Sequence, residues 1–147
     1  MLESSGGPGT AAAESVVLAT PENTFIQSVH RHLPVSLYRM KNHNQYAGGI
    51  SDCWYSGPAG DLWIEYKFVV LPKRVNTLIV PNLSALQIDW LNGRSKEGCK
   101  VGVIIGCKDG GVWLPGLAWA DPLNTAEFCK QIQSRSELAY AIKSLLL

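Results

Sequence analysis

At 147 residues the chain fits one domain and is long enough to bury a single core. Hydrophobic residues make up 46%, an ordinary globular share, and 13 Lys+Arg against 12 Asp+Glu leave a net charge of +1, a balance that singles out neither nucleic acid nor membrane. No segment is long and apolar enough to span a bilayer, which excludes a transmembrane helix. The basic residues are unevenly distributed. Between His30 and Lys108 they dominate, with Arg31, Arg39, Lys41, Lys73, Arg74, Arg94, Lys96 and Lys100, and such a local surface suits a polyanion or is simply a solvated face.

Residues 1–19, rich in Gly, Ser and Ala, are expected to form a flexible tail; they lack the basic start of a secretory signal and carry Glu3 and Glu14. One domain is expected over residues 20–147. Thr20-Pro21-Glu22 predicts a helix start, and Phe25, Ile26, Val29 and Leu33 share one face, so the helix is expected to run to about Leu33, where Pro34 ends it. Glu22 then has two roles open to it: complementing the positive end of the helix dipole, or reaching a metal from a helix packed beside the next strands. A first strand is expected over Val35–Lys41, then a polar loop from Asn42 to Gly49 containing His43.

Strands are expected at residues 50–55 and 62–70, joined by the turn Ser56-Gly57-Pro58-Ala59-Gly60-Asp61. In the second, Trp63, Glu65, Lys67 and Val69 fall on one face and Leu62, Ile64, Tyr66 and Phe68 on the other. Burying charge without a partner costs several kcal/mol, so an acid and a lysine inside an apolar strand ask for a reason. Asp52 adds a second acid on a strand that is otherwise aromatic and apolar. If the two strands pair as a hairpin, Asp52, Glu65 and Lys67 converge in the outline of a divalent-metal hydrolytic site.

An irregular stretch follows to Pro81, carrying Lys73 and Arg74. Ser84-Ala85-Leu86-Gln87 matches a capping box opening a helix to about Gly98, with Leu83, Leu86, Trp90 and Leu91 as its apolar face; capping alone explains Gln87. Lys100 to Cys107 reads as a strand buried on both faces, and Val112-Trp113-Leu114 as another. Capping boxes at Asn124–Glu127 and Ser134–Glu137 open two C-terminal helices, whose Phe128, Ile132, Leu138, Ile142, Leu145 and Leu146 would pack on the sheet or on a second subunit. Cys53, Cys99, Cys107 and Cys129 show no CxxC spacing and no histidine at zinc-ligand distance, so they are expected to be reduced and mostly buried thiols, with residence in the cytoplasm, or the host cytoplasm for a viral protein.

The order helix, strand, Asp-bearing strand, Glu-x-Lys strand, helix with Gln, buried strand resembles the core of the PD-(D/E)xK nuclease superfamily. Gly49-Ile50-Ser51-Asp52, Trp63-Ile64-Glu65-Tyr66-Lys67, the helix from Leu83 to Leu91 and Gly98 with Val101-Gly102-Val103 look most like the VRR-NUC branch and related phage endonucleases, over residues 20 to 107. The resemblance implies an α/β (α+β) restriction-endonuclease-like core, a central mixed β-sheet flanked by helices. It implies that Asp52 and Glu65 bind Mg²⁺ or Mn²⁺ with the Tyr66 carbonyl as a further ligand, that Lys67 orients or activates water, and that Glu22 and Gln87 stand where the family often has a helix acid and a helix glutamine. Ser51 departs from the proline many relatives carry there. The implied activity is a metal-dependent DNA endonuclease, selective for branched DNA such as Holliday junctions and acting as a homodimer. Arg39, Lys41, His43, Lys73 and Arg74 are the candidate DNA contacts. The alternative is a nuclease-like fold used only for DNA binding or assembly, with Glu65 and Lys67 as a structural ion pair.

Overall fold

In a computed structural model that describes residues 20–42 and 48–147, the chain runs α1 (Pro21–His30), β1 (Tyr38–Lys41), β2 (Cys53–Gly57), β3 (Gly60–Phe68), β4 (Leu78–Ile79), α2 (Ala85–Lys96), β5 (Lys100–Cys107), β6 (Gly110–Pro115), β7 (Leu123–Asn124), α3 (Thr125–Gln131) and α4 (Arg135–Leu146). The N-terminal tail and His43 lie outside the described residues. Five strands form one mixed sheet in the order β1-β2-β3-β5-β6, and β4 pairs with β7 separately. β3 and β5 are parallel neighbours at the centre; the remaining pairs are antiparallel. This is the α+β, mixed-sheet architecture expected. Among the described residues no helix is long and apolar enough to cross a membrane.

Period-two alternation sorts the central strands between two layers. Leu62, Ile64 and Tyr66 join Phe25, Ile26 and Val29 of α1 and Leu138, Ile142 and Leu146 of α4 in one buried cluster. Val101, Val103, Ile105 and Cys107 face the other way, toward Leu91 of α2 and Phe128 of α3, with Trp63 and Trp90 partly buried against them. The apolar C-terminal side chains are thus taken up by the sheet. Gly106 and Gly102 of β5 leave room for the rings of Phe25 and Trp113, which an added Cβ would strike.

All three capping boxes form, at Ser84, Asn124 and Ser134, and Thr20 accepts the Asn23 amide. Boundaries differ where turns intervene. α1 stops at His30 and a turn carries the chain through Leu33, so β1 begins only at Tyr38, and Val35 is 96% exposed. The hairpin turn is tighter than composition suggests, with only Pro58 and Ala59 between β2 and β3. Leu86, expected on the apolar face of its helix, is 60% exposed. Cys53 and Cys107 are buried while Cys99 and Cys129 are exposed, and all are free, which corrects the expectation of mostly buried thiols.

Beneath the centre of the sheet runs a buried polar chain: His30 Nε2 lies 2.8 Å from the Tyr55 hydroxyl, which lies 2.6 Å from that of Tyr66. Burial, reinforced by the positive charge of Arg39, lowers the His30 pKa to about 4. A histidine held neutral keeps its stabilising effect above its unfolded value near 6.5 and loses it as pH falls through the folded value near 4. Tyr55→Phe strands a polar atom at each end of the chain. We expect it to cost about 1–3 kcal/mol in urea unfolding at pH 7.

Candidate metal centre

β2 pairs with β3 only as far as Cys53 opposite Ile64. Continuing that register one step puts Asp52 opposite Glu65, but Asp52 has already left the strand: it sits in the bend before β2, a correction to its expected place within a strand. Its carboxylate does what the missing strand backbone would have done. Oδ2 accepts the Tyr66 amide at 2.9 Å. In an antiparallel pairing a residue's N–H and C=O face the same neighbour, so the Tyr66 carbonyl is directed to the same edge as Asp52.

That opening in the sheet edge lets side chains from both layers meet. Glu65, 2% exposed, belongs to the face covered by α2, whereas Glu22 lies in the first turn of α1 on the opposite layer. One carboxylate oxygen from each of Glu22, Asp52 and Glu65 lies within 4.8 Å of the others. Gln87 Nε2 donates to Glu65 Oε2 at 3.0 Å, and Gln87 Oε1 accepts from Lys67 Nζ at 3.3 Å and from the Ser84 amide at 2.9 Å. Gln87 therefore caps its helix and ties Glu65 to Lys67 at once. Lys67 Nζ is also 3.8 Å from Glu65 Oε2.

Three acids this close cannot all ionise cheaply without a cation. Burial raises the Glu65 pKa to about 9, with the neighbouring Asp52 charge adding to it. Burial likewise, and then Asp52, raises Glu22 to about 7. Glu65 Oε1 is buried with no hydrogen-bond partner. An orphaned buried carboxylate oxygen facing two further carboxylates is a set of hard oxygen donors, which fits a hard divalent cation and not a thiophilic metal.

The structure brings Glu22, Asp52, Glu65, Lys67 and Gln87 together, and leaves the candidate DNA contacts dispersed. Lys41 is half-buried and close enough to Glu22 to act on its charge. The Arg39 guanidinium donates to the carbonyls of Pro34 and Leu37. Lys73 and Arg74 line a shallow depression with Val75, Asn76 and Thr77 that includes none of the acids.

No protein-family model matches this chain, and no curated protein does. Among solved structures it is similar to a Holliday junction resolvase from the archaeal hyperthermophile Archaeoglobus fulgidus, at 12% identity and a TM-score of 0.48, covering 80% of this chain and 99% of that one. A likeness so faint says nothing about chemistry, which stands on the residues of the centre.

Sequence reasoning passed over the part played by the glycines before Asp52. Gly49 has φ +90° and lies against the main chain of Leu86, the residue before Gln87, so it sets the start of α2 against the Asp52 bend. The Gly48-Gly49 pair was the available signal. A methyl group at Gly49 would collide with the Leu86 carbonyl and demand a left-handed conformation of an L-residue. Gly49→Ala is expected to lose about 1–3 kcal/mol in chemical denaturation.

Proposed function

We propose that this chain is a metal-dependent endonuclease of the PD-(D/E)xK type, hydrolysing DNA phosphodiester bonds. The observation that carries this is the convergence of Glu22 from α1, Asp52 from the bend before β2 and Glu65 from β3 on one point beside Lys67. Asp52, Glu65, Glu22 and the Tyr66 carbonyl would hold Mg²⁺ or Mn²⁺. Bound there, the cation would polarise the scissile phosphate, lower the pKa of a water and offset charge on the leaving oxygen.

The protein's own groups supply the rest. The Lys67 ammonium, steadied by Gln87 Oε1 and Glu65 Oε2, is a fixed positive charge where negative charge builds on the phosphoryl oxygens, and it can orient a water for in-line attack. Gln87 keeps Lys67 and Glu65 at a set separation, which holds the site ready before substrate arrives. The inactive alternative explains Asp52 as a sheet-edge cap and Glu65 with Lys67 as an ion pair. The helix dipole accounts for Glu22 in the first turn of α1 but not for its carboxylate meeting two others, and the unpartnered Glu65 oxygen is left without a reason, so the catalytic function is preferred.

Membership of the VRR-NUC branch, a phage-type relationship, cytoplasmic residence, preference for branched DNA and homodimerisation belong to the same proposal. The compact domain favours structure-selective cutting, and paired cuts at a junction require two sites and hence two copies. The test is a panel of duplex, flap, single-strand and four-way-junction DNAs with Mg²⁺ or Mn²⁺, alongside a light-scattering mass. Metal-dependent cutting of at least one substrate is expected, and none with any of them would overturn the proposal.

A further inference from the structure

The sheet face that carries Glu65 also carries a row of aromatic rings. Met40, Trp54 and Trp63 are opposed across β1, β2 and β3 and so share that face. Trp63 packs edge-on against Trp90 of α2 with centroids 5.2 Å apart, stacks on Trp54 at 6.0 Å, and Trp54 takes Tyr38 edge-on at 5.3 Å. Packing explains the inner end, where α2 covers the rings. It does not explain the outer end. Among the described residues β1 is the edge strand, paired only with β2, and Tyr38 and Met40 are 61% and 48% exposed. Trp54 is half-buried with its Nε1 tucked inside, so the part of the indole left open is carbon.

The row is continuous with the metal centre. Trp63 stands two residues from Glu65 on the same face, a step of about 6.6 Å along β3 and the scale separating a phosphate from the base of an adjoining nucleotide. Trp54 and then Tyr38 carry the row outward from there. We infer that Trp54 and Tyr38 form a stacking subsite for unpaired bases leading away from the scissile phosphate, so that the substrate is DNA with a single-stranded segment beside the cut. This rests on the nuclease function proposed above. Stacking on a π-face accepts any base, so the subsite selects unpaired structure more than sequence. A fully paired duplex has its bases stacked on one another and offers no face to Tyr38.

The experiment measures binding of the full chain, without metal and at low salt, to a labelled thymidine oligonucleotide and to a blunt duplex of the same length. Tyr38 is exposed, so Tyr38→Ala should fold normally. It is expected to weaken single-strand binding about tenfold with duplex binding held within about twofold, and Tyr38→Phe to restore it. Equal single-strand affinity in wild type and Tyr38→Ala, or equal loss on both DNAs, overturns the inference. So does a Tyr38→Ala variant that turns a dimer into a monomer without changing oligonucleotide affinity, which would make this face a contact between copies. Because no cleavage is read, failure of the subsite is distinct from failure of the nuclease function, which shows only in metal-dependent cutting.

Discussion

Glu65→Gln is expected to abolish cutting, lowering the rate by roughly a thousandfold or more, while raising the melting temperature of the metal-free protein. The two effects have one origin. Glu65 is almost fully buried beside Asp52 and Glu22, and one of its oxygens has no partner, so in the absence of a cation its ionised form is unfavourable. An amide of the same shape is neutral without having to take up a proton on folding, but it cannot replace an anionic ligand. A structural ion pair with Lys67 predicts the reverse, since removing one partner of a buried pair destabilises. Lys67→Met separates the roles further: cutting should be lost and the thermal response to metal kept, because Lys67 is no ligand. Plasmid nicking and calorimetry on both variants suffice, and a Glu65→Gln protein that cuts like wild type would refute the assignment.

The second large effect is the joint dependence of stability on pH and divalent cation. Glu22 and Glu65 have folded pKa values raised to about 7 and about 9 from 4.5. The folded protein therefore holds protons that the unfolded chain has released. The stability they contribute is fully present below 4.5 and is lost as pH rises through about 7 and then about 9. His30 acts in the opposite window, between 6.5 and about 4, so the metal-free protein should be most stable near mild acidity. Mg²⁺ or Mn²⁺ competes with those protons. At pH 8 and a hundred times its dissociation constant, the cation should add about 2.7 kcal/mol, a rise on the order of 5–10 °C in Tm. The rise should shrink toward pH 5 and vanish in Glu65→Gln. A melting temperature indifferent to millimolar Mn²⁺ at pH 8 would rule out a metal centre.

The hairpin, the buried central strand and every capped helix were legible in the residue pattern because each is governed by local rules: alternation on a strand, side-chain capping of a helix start, a Gly/Pro turn. Asp52, Glu65 and Lys67 stood out for the same reason, as charges where periodicity demanded apolar side chains. What local rules do not contain is where strands stop pairing. β2 ends at Cys53 against Ile64, and that early end exposes the Tyr66 amide, draws in the Asp52 carboxylate and opens the edge through which Glu22 enters from the far layer. Helix capping accounts for Gln87 and the helix dipole for Glu22 in any fold that keeps those helices. Only the packing of α1 and α2 on opposite faces of one sheet brings both to Glu65, since contact between residues 43 positions apart, or 22, depends on the layers and not on either segment.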